Sequence, residues 1–242
     1  MYKESRYFHT PDPRTIVWRY IDFTKFVDIL TSEQLFFCRS DKFEDPFEGI
    51  FQLKDYKSTR EMFSTMPETK KFYFLNSWHI NEIQSDAMWK IFTNTKNGIA
   101  IKSSVGSIIK SLEKSHDDIH IGEIYYRDFD KVTFMELLTK NQTSKLGGGT
   151  NQFNYKRTSF KHEQELRLYY IDMPIPHAIK NGVPREPLEF KKVNIDLSLL
   201  IHEIIIAPFA EDWFVNLIST TVSKLNYKFK ITTSTLYKLK DK

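Results

Sequence analysis

The chain has 242 residues, 40% of them hydrophobic and 15% aromatic, a net charge of +4 and one cysteine, Cys38. That composition argues for a packed core and against disorder, and a single cysteine excludes an intrachain disulfide. The mild positive charge permits a nucleotide or nucleic-acid partner without requiring one.

A reducing, cytoplasmic setting is the default expectation for so few thiols. Lys3, Glu4, Arg6 and His9 break up any secretory leader at the N-terminus. No apolar run approaches the roughly 20 residues that cross a bilayer, so no membrane is expected. Cys38, within Leu35-Phe36-Phe37-Cys38, is expected as buried packing.

Residues 1–14 are polar, end in Pro11-Asp12-Pro13, and are expected to form a loosely held arm. From 15 to 242 a single α/β (α+β) domain is expected, with a mixed sheet of about six or more strands. Thr15 to Tyr20 has the β-branched and aromatic content of a strand. Asp22 can cap a short helix whose Phe23, Phe26, Val27 and Leu30 form one stripe. Leu35 to Cys38 is a second strand, running into an acidic turn, Asp41 to Gly49, where Pro46 extends Asp45 and Gly49 allows a sharp exit. Residues 52–71 are partly helical, and Phe72 to His79 alternates as a strand. Ser85 and Ser104 each read as a helix cap, with Asn97-Gly98 turning the chain into the strand Ile99-Ala100-Ile101 between them. Ile119 to Tyr126 is a strand, and a polar helix near 131–140 leads to a flexible connector near 141–152 with Gly147-Gly148-Gly149. That glycine run lacks the Lys-Ser/Thr of a phosphate-binding loop. Pro174, Pro176, Pro184 and Pro187 mark a surface loop. Ile204 to Ile206, a helix over 211–225 burying Trp213, Phe214, Leu217, Ile218 and Val222, and a strand at 228–232 form a crossover to a parallel neighbour.

The stretch Tyr155 to Asp172 carries the densest chemistry. A two-residue period puts Leu166, Leu168 and Tyr170 on one face and Glu163, Glu165, Arg167 and Tyr169 on the other. Such a charged row is either a solvated sheet face or the wall of an active site. In the second case Lys156, Arg157 or Arg167 would keep Glu165 ionised. No zinc or calcium spacing is present, although separated carboxylates, Glu44, Asp45 and Glu48 among them, could hold magnesium. Ser77-Trp78-His79 does not match a nucleophile elbow.

The succession Trp18-Arg19-Tyr20, Phe43-Glu44-Asp45-Pro46-Phe47-Glu48, Ser77-Trp78-His79, Gly98-Ile99-Ala100-Ile101, Glu163-Gln164-Glu165-Leu166-Arg167 and Glu203 to Pro208 resembles a large bacterial family of uncharacterised domains, often defence-linked. More distantly, the order of elements is similar to that of ADP-ribosyltransferases of the DNA-modifying toxin type. Glu163-Gln164-Glu165 looks like the Glu-x-Glu motif of the arginine-modifying branch. This second resemblance implies NAD as substrate, Glu165 and Glu163 as catalytic carboxylates, and Arg19, Tyr20, Arg39, Trp78, His79, Trp89 and Arg157 around the nucleotide. It implies that Glu165 and Arg19 face one pocket. It also implies a nucleic-acid or protein acceptor and an antitoxin or defence-system partner. Three readings therefore stand: an ADP-ribosyltransferase or NAD glycohydrolase, serving as a toxin or anti-phage effector; a metal-dependent nuclease or hydrolase; and a non-catalytic sensor of a nucleotide or a protein.

Overall fold

A computed structural model of the chain describes residues 1–93, 95–140, 151–173 and 186–239. The glycine run and Pro174, Pro176 and Pro184 lie outside the described residues. In chain order the strands are β1 (Ile16–Asp22), β2 (Gln34–Arg39), β3 (Tyr73–Ile80), β4 (Gly98–Ser104), β5 (Ile119–Glu123), β6 (Tyr125–Arg127), β7 (Tyr155–Arg157), β8 (Glu165–Ile171), β9 (Phe190–Asn194), β10 (Glu203–Ile206) and β11 (Ile231–Thr233). Among the described residues nine of them hydrogen-bond into a mixed sheet, while β6 and β7 form a parallel pair of their own. The fold is α+β, and the nine strands agree with the mixed sheet of about six or more that the sequence implies. The chain groups into two compact units. The first holds Met1–Thr10, Phe36–Ser77 and Asp117–Val193; the second holds Pro11–Leu35, Trp78–His116 and Asn194–Lys242.

In the second unit β4 pairs antiparallel with β1 along its whole length, from Ile16↔Ser104 to Asp22↔Gly98. On its other side β4 pairs antiparallel with β10, and β11 lies parallel to β10. Helix Asp212–Lys224 makes the connection between those two strands, the crossover expected from the sequence. It buries Phe214, Ile218 and Val222, but Trp213 and Leu217 are exposed. The four-residue spacing of the three buried positions fixes the inward face, and 213 and 217 fall one position off it. The side-chain caps appear where expected. Asp22 accepts from Lys25 N, Ser85 from Met88 N and Ser104 from Ser107 N, each meeting an otherwise unbonded amide of a first turn. Helix Phe23–Ser32 buries Phe26, Ile29 and Leu30, a stripe rotated slightly from the expected one. The unit's core gathers Trp18, Tyr20, Met88, Trp89, Ala100, Ile205 and Ala207.

In the first unit β8 pairs antiparallel with β5, from Ile119↔Tyr170 to Glu123↔Leu166, and also pairs with β3. The single strand expected over Ile119 to Tyr126 breaks at Ile124. There the backbone amide donates to the Glu165 carbonyl at 2.9 Å, and the chain departs as β6 to pair with β7. Residues 1–10, expected as part of a loose arm, are packed. Lys3 N donates to the Ile119 carbonyl, and Glu123 N donates to the His9 carbonyl. Phe8 is buried with its ring 4.2 Å from that of Tyr169. The residue that makes room is Gly122, since a Cβ there would stand 3.1 Å from Phe8 Cβ.

Candidate active site

The site is built on the reversal between β7 and β8. After Arg157 the chain makes a 3-10 turn, Thr158–Glu163, and Gln164 adopts a left-handed conformation with φ 39°. This sharp return sets Lys156 of β7 beside Glu165, the first residue of β8. Glu163 therefore sits on the turn and not in the strand row expected for it. The rest of the row behaves as one face, but that face is not solvated. Glu165, Arg167 and Tyr169 are all buried, and Arg167 is 0% exposed.

A buried arginine needs partners for its N–H groups, and Arg167 has them. Its Nε donates to Glu165 Oε1 at 2.6 Å and its Nη2 to Glu165 Oε2 at 2.9 Å. Its Nη1 donates to Glu48 Oε1 at 2.5 Å and to the Phe153 carbonyl at 3.0 Å. Lys156 Nζ stands 2.5 Å from Glu163, 3.2 Å from Glu165 and 3.7 Å from Glu48. Ser77, on β3, donates its hydroxyl to Glu165 Oε1 at 2.5 Å. Tyr126, on β6, accepts from the Glu165 backbone amide at 2.9 Å. Five charged groups thus meet, three carboxylates and two cations.

Burial alone would push the Glu165 carboxyl up, but the charges of Arg167 and Lys156, with hydrogen bonds from Arg167 and Ser77, outweigh it and bring its pKa down to about 2. Burial works against Arg167 too, yet Glu165 and Glu48 hold it well above its ordinary value. Lys156 is raised by the same balance, burial opposing and Glu165 foremost among the carboxylates favouring its charge. Burial, then the nearby Glu165 charge, raises the Tyr126 hydroxyl, so it stays neutral. Glu165 is a fixed, permanently ionised carboxylate at any physiological pH.

The remaining sequence candidates fall in two places. In the first unit Arg39 is gripped by Asp41 through Nε at 2.7 Å and Nη2 at 3.2 Å, and donates Nη1 to the Leu188 carbonyl at 2.9 Å. An incoming phosphate would have to displace these partners. Arg157 donates to Asp45 at 2.9 Å, its guanidinium 4.2 Å from the centre of the Phe47 ring. In the second unit Arg19 lies 5.9 Å from the Trp78 ring, and burial lowers its pKa to about 10. Tyr20 meets Trp89 edge-on at 5.0 Å and His79 at 6.3 Å, and His79 Nε2 lies 3.3 Å from Asn81 Nδ2.

Two groups at the centre escaped the sequence reading. Tyr126 gave no signal, because its role rests on a break in the strand at Ile124. Glu48 was read only as a turn or metal carboxylate, and it stands 119 residues from Arg167. Ser77 was legible in part, from its alternating position on β3. No group of three His, Cys, Asp or Glu side chains among the described residues is arranged to hold a metal ion. The place between Glu48, Glu163 and Glu165 is taken by the Lys156 ammonium.

Comparison with known proteins adds the following. A family profile described as "Protein of unknown function (DUF2971)" matches residues 88–168. No curated protein matches by sequence. Solved structures of Thermus sp. 2.9 DarT are similar. The complex with NAD+ is 10% identical, with 93% of this chain and 98% of that one covered and a TM-score of 0.41. The complex with carba-NAD+ is 9% identical, covering 92% and 96%, at 0.40. The complex with ADP-ribosylated ssDNA is 10% identical, covering 94% and 97%, at 0.40. No helix among the described residues is long and apolar enough to cross a membrane.

Proposed function

We propose that the cluster around Glu165 is the catalytic centre of an NAD-using ADP-ribosyltransferase, with NAD glycohydrolase activity when water is the acceptor. One observation carries this reading. The carboxylates of Glu48, Glu163 and Glu165 converge on Lys156 and Arg167, and Glu165 is buried among them and held ionised by both cations. A pre-set carboxylate in a water-poor site favours a transition state that is developing positive charge.

Cleavage at the ribosyl carbon of NAD has that character. The bond from that carbon to the nicotinamide nitrogen breaks, its electron pair leaves with the now neutral nicotinamide, and positive charge spreads over the ribose. The acceptor's N–H or O–H then attacks the same carbon and gives up its proton to a carboxylate. Glu165, held immobile by Arg167 and Ser77, is suited to the electrostatic role. Glu163, on the turn and less buried, is suited to receive the proton. The metal-dependent reading is less favoured, because the carboxylates already converge on an ammonium and a guanidinium. A toxin or anti-phage role belongs to the same proposal, since unchecked NAD loss would halt growth. So does the acceptor class, a nucleic acid or a protein.

The test is NAD turnover by the purified chain with water, single-stranded nucleic acid and protein as acceptors. Glu163→Gln and Glu165→Gln are expected to lose about 10²-fold or more in kcat, and Glu163→Gln to keep the wild-type melting transition. Folded wild type that leaves NAD intact with all three acceptors, or equal turnover by Glu163→Gln and wild type, would overturn the proposal.

A further inference from the structure

We propose that Tyr126 reads the sugar of the substrate: its phenol O–H donates to the ribose hydroxyl next to the carbon at which NAD is cleaved. The inference rests on the function proposed above and adds a specificity residue to that site.

Tyr126 of β6 stands opposite Lys156 of β7 in the parallel pair, so the pleat turns both side chains to one face. Both reach the same residue. The Lys156 ammonium lies 3.2 Å from the Glu165 carboxylate, and the Tyr126 hydroxyl accepts from the Glu165 backbone amide at 2.9 Å. That bond takes a lone pair of the phenol oxygen and leaves its proton unspent. Ser77 and Lys156 aim their own protons at carboxylates. The Tyr126 proton meets no acceptor among the described residues. Tyr126 is half-buried, so a ligand can reach the hydroxyl, and burial with Glu165 nearby keeps the proton on the oxygen.

A donor placed beside a carboxylate suits a ligand hydroxyl, because one hydroxyl oxygen both accepts and donates. The group next to the ribosyl carbon of NAD is such a hydroxyl. It would accept from Tyr126 and donate to the ionised Glu165, and the second bond strengthens as positive charge builds on the sugar. A sugar without that hydroxyl would leave the Tyr126 donor facing nothing, and a site built to hydrogen-bond a hydroxyl rejects such an analogue strongly.

The test compares NAD with its analogue lacking that one hydroxyl. Wild type is expected to prefer NAD in kcat/KM by about 10²-fold or more, and Tyr126→Phe to shrink the preference about tenfold. A merely structural hold on the Glu165 amide would slow both substrates alike. No preference in wild type, or an equal preference in Tyr126→Phe, would therefore overturn the inference while leaving the catalytic reading standing. Folded wild type that leaves NAD intact would sink the catalytic reading instead. In that case, or if Tyr126→Phe does not fold, a fluorotyrosine at position 126 of Glu163→Gln protein, where NAD persists, carries the test. Its fluorine resonance should shift further with saturating NAD than with saturating analogue. Equal shifts, or no shift with NAD, would refute the contact.

Discussion

Arg167 holds Glu165 in a two-pronged grip, Nε 2.6 Å from Oε1 and Nη2 2.9 Å from Oε2. The residues are two apart on β8, so the pleat puts them on one face, and their fork geometries match. The third arm of the same guanidinium reaches Glu48 at 2.5 Å. Arg167→Met would keep the stem volume and take the guanidinium from two buried carboxylates, leaving them the longer contacts of Lys156 at 3.2 and 3.7 Å. Such one-sided breaking of a buried pair costs about 3–5 kcal/mol. Urea unfolding of Arg167→Met should show a loss of that size. A change under about 1 kcal/mol would mean that water already reaches the cluster.

The same contacts set how stability depends on pH. Glu165 has a folded pKa of about 2, below its ordinary 4.5. A depressed carboxylate contributes stability that is complete above its unfolded pKa and is lost as pH falls through the folded one. The window here runs from about 4.5 down to about 2. Glu123 has the opposite sign, because burial raises it and protonation then favours the fold, so it softens the decline. Asp12, Asp22 and Asp196 are also depressed to about 2 and are each more exposed than Glu165, so they add smaller amounts to the same fall. Unfolding free energy measured from pH 7 to pH 3 should change little at first, where His202, held below its ordinary value by burial and Lys102, and Glu123 act with opposite signs, and should fall most steeply below about 4.5. Glu165→Gln should have a shallower fall, and an unaltered slope would contradict the assignment.

Much of the framework could be read from local chemistry. Asp22, Ser85 and Ser104 cap helices because a side-chain acceptor beside an apolar stripe says so without tertiary help. The crossover from β10 to β11 followed from a buried strand, a proline and an amphipathic helix. The helix phase was less secure. Trp213 and Leu217 looked like core residues from hydrophobicity alone, whereas the stripe through Phe214, Ile218 and Val222 decides the buried face. The site shows the same divide. Glu165, Arg167 and Lys156 are close in sequence and could be suspected of pairing. Whether their face met water depended on Glu48, Ser77 and the Phe153 carbonyl, which come from distant segments. No local pattern encodes that.

Gly49 offers a stability test near the centre that touches no charge. Its φ is +69°, and a Cβ built there would stand 2.9 Å from Phe153 Cδ1, with two further ring atoms closer still. Phe153 is buried, and its carbonyl accepts from both Arg167 and Tyr169, so the ring has little freedom to retreat. Gly49→Ala combines the left-handed penalty with overpacking, together about 2–4 kcal/mol. Calorimetry should show the melting transition lowered by several degrees. An unchanged transition would show that the turn can relax.

The packed N-terminal segment leads to the last prediction. Phe8 is 5% exposed and sits against Tyr169, whose hydroxyl donates to the Phe153 carbonyl that Arg167 also uses. The segment is laid along β5 by Lys3 and His9 backbone bonds at 2.8 and 3.0 Å. Phe8→Ala should therefore cost the stability of a core phenylalanine, about 3–5 kcal/mol, and not the few tenths of a surface residue. It should also loosen the Tyr169 side of the charged cluster, because a cavity beside Tyr169 frees its ring to move off the Phe153 carbonyl. Hydrogen exchange separates this from a general loss of stability. The amides of β5 and β8 should open faster than those of β4 and β10, which lie in the other compact unit. Equal acceleration in all four strands would show that Phe8 supports the fold as a whole and has no particular hold on the face that carries Arg167.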